Sequence, residues 1–338
     1  MTTVTAEQPS AEPTDTARPL GAQLDGSDRV FRALTRGGGI TVLLIMLLVG
    51  TFLAVRAVDA LQVAGWSFLT ESRWEPDAGV FGIKAVLLGT LLIGLVAIAV
   101  AVPLAIGTAL YISEYAPRRL QRSLISTVDL MAAVPSVVYG LWGFFFLQGQ
   151  VVGLSRWIAT YLDWVPLFRV DGSDPRDPLA TATVYTSSTF IAGIVVGLMV
   201  TPITCSVMRE VFSQAPAGER EGAYALGATR WAMVRAVVLP FGRGGMIGGT
   251  MLGLGRALGE TIAVYMILSV VISVQPHVLQ NGGSSVSALI ASKYGEATTL
   301  GTSALMAAGL ALFLMTLVVN FAASSIVARS RSGADSDA

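Results

Sequence analysis

The sequence predicts an all-α, polytopic helical membrane protein with six transmembrane helices. Three observations carry this. Of 338 residues, 53 % are hydrophobic and 13 % charged, about half the charged share of a soluble domain and too little to cover a water-facing surface. The mean hydropathy is +0.67. Six apolar stretches, residues 40–63, 85–112, 124–147, 190–212, 246–274 and 304–327, each reach the roughly 20 residues a helix needs to cross the hydrocarbon core.

Residues 1–36 are rich in Thr, Ala, Pro, Asp and Glu and lack apolar periodicity, which predicts a disordered tail. They are not a signal peptide, because the first apolar run is of spanning length and no small-x-small cleavage site follows it. The organisation expected is this tail, a first helix with its outer connection (37–79), a helical core (80–328) carrying the connection 213–245, and a second tail (329–338). No internal repeat is visible.

Basic residues set the orientation. The N-tail, the 113–123 and 213–245 connections and the C-tail hold 13 of the 22 Lys and Arg, among them Arg29, Arg32, Arg36, Arg118, Arg119, Arg122, Arg220, Arg230, Arg235 and Arg243. Basic connections stay in the cytoplasm, so both termini are expected inside and 148–189 outside. Trp157, Tyr161 and Trp164 read as an interfacial aromatic belt or a short re-entrant helix.

Several functions are excluded. The 22 basic and 22 acidic residues balance to zero net charge, so there is no field to hold nucleic acid. One cysteine, Cys205, and one histidine, His277, argue against a disulfide, a zinc site and Ser-His catalysis. No G-x-x-x-x-G-K-[ST] loop is present, and Lys84 and Lys293 have the wrong neighbours for one. Asp129 is alone in its span. No catalysis and no cofactor are expected on this chain.

Three runs carry the functional signal. The stretch 129–147, DLMAAVPSVVYGLWGFFFL, puts a break at Pro135 and Ser136 inside the third span, which frees backbone groups that protein or water must satisfy. Pro103 and Pro202 are expected to kink or break their own spans. Residues 213–245 read SQAPAGEREGAYALGATRWAMVRAVVLPFGRGG. Pro216 suits a helix start and Gly227 a stop, while Thr229 suits the cap of a second short helix ended by Pro240. This predicts a compact elbow standing off the membrane. The fifth span, GGMIGGTMLGLGRALGETIAVYM, has small residues four apart at Gly249/Gly253 and Gly255/Gly259, which permit close helix approach. On a continuous helix Gly249, Gly253, Arg256 and Glu260 fall within about 60° of one face. Arg256 and Glu260 are then placed to pair one turn apart. Such a pair either fixes helix register or lines a path for a charged solute, and a guanidinium fork suits tetrahedral oxyanions.

The elbow resembles the EAA loop of bacterial ABC importer permeases through Glu221, Ala223, Gly227 and Leu239-Pro240. Gly222 stands where that pattern usually has alanine. The resemblance implies that Glu221, Gly222, Ala223 and Gly227 couple the chain to an ATPase; otherwise the elbow is an amphipathic interfacial one. Together with residues 88–117, AVPSVVYGLWG (133–143) and GRALGET (255–261), the chain resembles the PstC-type permeases of bacterial phosphate-specific ABC importers. That family resemblance implies the type I importer permease fold and a multi-pass subunit of the bacterial cytoplasmic membrane. It further implies a PstA-like partner forming a heterodimer, two ATPase subunits and an external phosphate-binding protein. Arg256 and Glu260 take the positions it associates with phosphate passage. The alternatives are a sulfate or molybdate permease, or a membrane phosphate-sensing scaffold without flux.

Overall fold

A computed structural model of the chain describes residues 26–177, 181–268 and 271–331. It divides into two compact units, residues 1–49 and 50–338. Helix α1 (Gly26–Ala64) begins in the first unit. Residues 26–36, expected as tail, are therefore helical. Asp28 sits in the first turn, where a carboxylate favours the positive end of the helix dipole, and the Thr35 hydroxyl donates to the Phe31 carbonyl at 3.0 Å. The expected tails at 1–25 and 332–338 lie outside the described residues.

The second unit is built on α3 (Lys84–Leu110) and α7 (Thr189–Ser213). Their contact uses backbone against backbone. A Cβ on Gly197 would stand 2.8 Å from the Ala97 carbonyl oxygen, and one on Gly193 2.5 Å from the Val96 side chain. Ile93, Ala97, Ile191, Val195 and Val196 fill this seam and are buried. Both helices run through their prolines, Pro103 and Pro202, without a break. Helix α10 (Leu239–Gly259) joins them. A Cβ on Gly249 would meet the Thr204 carbonyl at 3.2 Å, and one on Gly253 the Thr204 hydroxyl at 2.6 Å, so this pair of small residues serves close packing. Gly259 has open space, and Gly255 has only ordinary contact with Asn320.

Between α3 and α7 the third span departs from expectation. Helix α4 (Arg118–Ala133) buries none of its residues, and its basic first turns are too polar for the hydrocarbon. The apolar stretch long enough to cross a membrane is Ser136–Tyr161 rather than 124–147. It comprises α5 (Ser136–Trp142), a π-turn over Gly143–Leu147 and α6 (Gln148–Tyr161). Trp157 and Tyr161 thus end a helix, with ring centroids 5.5 Å apart, and both are exposed. This is the arrangement of a belt, and 148–161 is not a loop.

The fifth span is corrected too. Helix α10 stops at Gly259, Glu260 is extended (ψ 127°), and only the short α11 (Ile262–Ile267) follows before the chain leaves helical form. The expected continuation to residue 274 is absent because Glu260 caps the new helix with its own side chain, accepting from the Ala263 N–H at 3.2 Å. Beyond it, the chain builds a cap with residues 162–177 and 181–188: the Val278 N–H donates to the Leu167 carbonyl and the Asn281 N–H to the Val184 carbonyl. The cap rests on α3, where Gly89 leaves room for the Ser284 carbonyl. Helix α12 (Val286–Lys293) leads into α13 (Thr299–Arg331). The connection after α1 holds a short helix α2 (Ser67–Thr70) and a small antiparallel hairpin, β1 (Trp74–Glu75) with β2 (Val80–Phe81).

Candidate functional site

Two places bear on function, one in the membrane-spanning body and one at the elbow. At the first, the broken helices meet. Pro135 separates α4 from α5, with Val134 extended at ψ 129°. The carbonyl of Met131, in the last turn before this break, accepts the Val134 N–H at 3.3 Å and the Tyr139 hydroxyl at 3.1 Å. The glycines of the same run let α5 touch α11: a Cβ on Gly140 would lie 2.9 Å from Ala263 Cα, and one on Gly143 3.0 Å from Ile267. On the other break, the Glu260 carbonyl accepts the Ser287 hydroxyl at 2.8 Å. The break expected at Pro135 therefore adjoins an unexpected one at Glu260, and the Tyr139 and Ser287 hydroxyls bond carbonyls beside them.

Arg256 and Glu260 part company here. Glu260 is buried, 9 % exposed, and its carboxylate is turned to Ala263. Arg256 is exposed. No ion pair joins them among the described residues, since the helix that would set them one turn apart ends at Gly259. Arg256 opens instead onto a pocket of about 610 Å³, lined by Ile203, Met251, Leu252 and Gly255 together with Asn320 and Ser324. Arg256 lies in the last turn of α10, where a cation complements the negative end of the helix dipole. A guanidinium in a spanning helix also favours a watery path or a polar partner.

The elbow follows α7. Helix α8 (Ala217–Ala225) stops at Gly227, which takes φ +81°, a conformation glycine adopts without steric penalty. Helix α9 (Arg230–Met233) then begins, capped by Thr229, whose hydroxyl oxygen accepts the Ala232 N–H at 3.2 Å. Pro240 does not end this second helix. A π-turn over Val234–Val238 leads directly into α10, with Pro240 in its first turn. The wider turn relieves the clash a proline ring makes with the carbonyl four residues back. Glu221, Gly222 and Gly227 are exposed and Ala223 half-buried; a Cβ on either glycine would meet nothing within 4 Å. The elbow's small residues are uncovered in this chain.

Two features of the elbow were not singled out from sequence. Leu226 is 91 % exposed, a large apolar side chain beside the turn glycine, and that juxtaposition was its only sequence signal. Arg220 on α8 reaches back to Glu114, in the π-turn over Tyr111–Tyr115 that ends α3. Its Nη2 lies 3.1 Å from Glu114 Oε1. Nη1 donates to Oε2 at 3.3 Å and Nη2 to the Phe212 carbonyl at 2.7 Å. Glu114 is buried. Nearby, the Arg230 guanidinium sits 5.1 Å over the Tyr115 ring. These contacts fasten both elbow helices to the end of α3, and residues 106 positions apart leave no local pattern to reveal them.

Known proteins bear on this arrangement. Residues 101–332 match the family model of binding-protein-dependent transport system inner membrane components. A protein of Mycobacterium tuberculosis named phosphate transport system permease protein PstC 2 is 39 % identical over 303 residues, 88 % of this chain and 91 % of that one. The PstC of Xylella fastidiosa strain 9a5c is 35 % identical over 310 residues, covering 91 % and 93 %. A bacterial ABC transporter involved in the import of the acidic polysaccharide alginate has a chain similar in fold at a TM-score of 0.54. That match is 18 % identical and covers 89 % of this chain and 99 % of that one.

Proposed function

The chain belongs to the binding-protein-dependent transport system inner membrane components, and within them to the PstC-type phosphate transport permeases; on that premise we propose that it passes inorganic phosphate across the bacterial cytoplasmic membrane. ATP is hydrolysed on separate subunits. The complex comprises this chain, a PstA-like permease, two ATPase subunits and an external phosphate-binding protein. Both termini and the elbow face the cytoplasm, as the distribution of basic residues favours, and the cap faces outward toward the binding protein.

The observation that supports this reading most directly is Arg256, a cation in a spanning helix with no described partner, facing an open pocket. A guanidinium presents paired donors that match the oxygens of a tetrahedral anion. Glu260 backs this site, since its carboxylate and carbonyl fix the chain where α10 ends. Pro135 and Ser136 shape the neighbouring break. The exposed elbow surface at Glu221, Gly222, Ala223 and Gly227 receives the ATPase.

The test is flux in vesicles holding the complete complex. Wild type should move phosphate only with ATP and binding protein present. Arg256→Ala should abolish flux, and Arg256→Lys should be impaired, because an ammonium lacks the fork. Wild-type flux in Arg256→Ala would make the arginine structural and remove the pathway assignment. ATP hydrolysis stimulated by phosphate with no phosphate delivered would identify a sensor instead.

A further inference from the structure

Helix α13 places a second polar group beside Arg256. Asn320 lies in the membrane-spanning part of α13, is half-buried and lines the same pocket, with Ser324 one turn further on. The two helices approach at Gly255, where a Cβ would lie in ordinary contact with the Asn320 amide, 3.8 Å from Nδ2 and 3.9 Å from Oδ1. The amide therefore stands over the residue next to Arg256. No hydrogen bond is made by the Asn320 side chain to any described residue. An amide in the hydrocarbon without partners is costly, so its presence calls for a polar occupant of the pocket.

We propose that Asn320 and Arg256 form one oxyanion site across α10 and α13, in which Asn320 reads the proton on the anion. This rests on the pathway reading of Arg256 given above. An asparagine side chain both donates, through its NH₂, and accepts, through its carbonyl oxygen. Phosphate near neutral pH keeps at least one proton and offers a hydroxyl to that acceptor, whereas sulfate has no hydroxyl to offer and leaves the acceptor unpaired. Arg256 attracts both anions and does not tell them apart. Glu260, the other acceptor near this end of α10, is already engaged by the Ala263 N–H and buried. The discriminating group is therefore the neutral amide on α13.

The experiment uses the complete complex in vesicles, on a Cys205→Ser background, with Ser324→Cys as reporter in the pocket and Val318→Cys, on the opposite side of α13, as control. An aqueous anionic methanethiosulfonate should modify Ser324→Cys and spare Val318→Cys. Inorganic phosphate should slow that modification at lower concentration than sulfate does. Adding Asn320→Leu should raise the protecting phosphate concentration about tenfold or more, the effect of losing one hydrogen bond to a charged group, and bring phosphate and sulfate level. Asn320→Asp, which keeps the shape and repels the anion, should lose protection by both. Unchanged phosphate protection in Asn320→Leu overturns the proposal, as does a Ser324→Cys no more reactive than Val318→Cys, while wild-type phosphate flux would leave the pathway reading standing. Absence of wild-type flux removes that reading and this one with it.

Discussion

Replacing Glu114 by glutamine keeps the shape of the side chain and removes its charge, leaving Arg220 without a counter-ion at the root of the elbow. Glu114 is 4 % exposed and Arg220 22 %, so the pair is shielded from solvent. Removing one partner of a buried ion pair costs about 3–5 kcal/mol. Here the Phe212 carbonyl still accepts from Arg220 at 2.7 Å, and the new amide oxygen still accepts a weaker bond. The low end, roughly 2–3 kcal/mol, is the appropriate figure. That is about a 30- to 140-fold loss in the ratio of fastened to unfastened elbow. The membrane-spanning body does not use the pair, so insertion and assembly should persist while force from the ATPase is no longer delivered to α3. The assay is phosphate moved per ATP hydrolysed in vesicles of the complete complex, expected to fall tenfold or more in Glu114→Gln. The double variant Glu114→Met with Arg220→Leu, which leaves no uncompensated charge, should recover most of it. Glu114→Gln with wild-type flux per ATP would refute the idea that this pair fastens the elbow.

Three further outcomes are expected. Gly227→Leu forces a leucine into φ +81°, at about 1–2 kcal/mol, and adds bulk to a surface empty within the chain; the variant should insert normally but lose co-purification of the ATPase subunits. Gly89→Ala drives a methyl to 2.0 Å from the Ser284 carbonyl oxygen, whereas at Gly107 a Cβ meets nothing within 4 Å. The first should lower the thermal unfolding midpoint by several degrees through overpacking, while Gly107→Ala should leave it unchanged or raise it slightly. In the connection before α3, hydrogen bonds from the Ser72 N–H and then the Arg73 N–H hold the Glu71 carboxyl below its ordinary 4.5. Because the shift is downward, its contribution to local order is present at neutral pH and lost as pH falls through the folded value. Protection of the Ser72 amide from hydrogen exchange should therefore persist to below pH 4.5 and then fall, and Glu71→Gln should abolish that dependence.

Much of the fold was legible because its signals are local. Apolar runs of spanning length mark four of the six spans in place, and turn chemistry at Pro216, Gly227 and Thr229 marks the elbow. Where sequence and structure part, the cause is shared. A 124–147 window is apolar on average and so merges helix α4 with the third span, although the charged first turns of α4 keep it out. Angular arithmetic assumes an unbroken helix and so sets Arg256 and Glu260 on one face. At the end of α10 the Glu260 carboxylate accepts the Ala263 N–H three residues on, and its carbonyl accepts the Ser287 hydroxyl from α12. Pro240 was read as a stop because proline usually is one, but a π-turn before it removes the steric reason. The Glu114–Arg220 tie lay beyond reach, since nothing in either local sequence encodes the other.

Where α4 ends and where α10 ends, backbone groups find partners within the chain: the Met131 carbonyl accepts from the Val134 N–H and the Tyr139 hydroxyl, the Glu260 carbonyl from the Ser287 hydroxyl, and the Glu260 carboxylate from the Ala263 N–H. These breaks are finished structures, as burial in a membrane requires. Arg256 on α10 and Asn320 on α13 make no hydrogen bond to a described residue and line one pocket. A chain that closes its backbone defects this thoroughly has no structural use for an unpaired guanidinium and amide in its spanning body. On the proposed reading their partners come from outside it, as a passing anion held against a second permease subunit. If that is right, assembly with the PstA-like subunit should enclose the pocket, and a thiol reagent too large for a closed path should modify Ser324→Cys in the isolated chain but not in the complex. Equal modification in both states would mean that the pocket faces away from the partner, and the shared-pathway argument would fail.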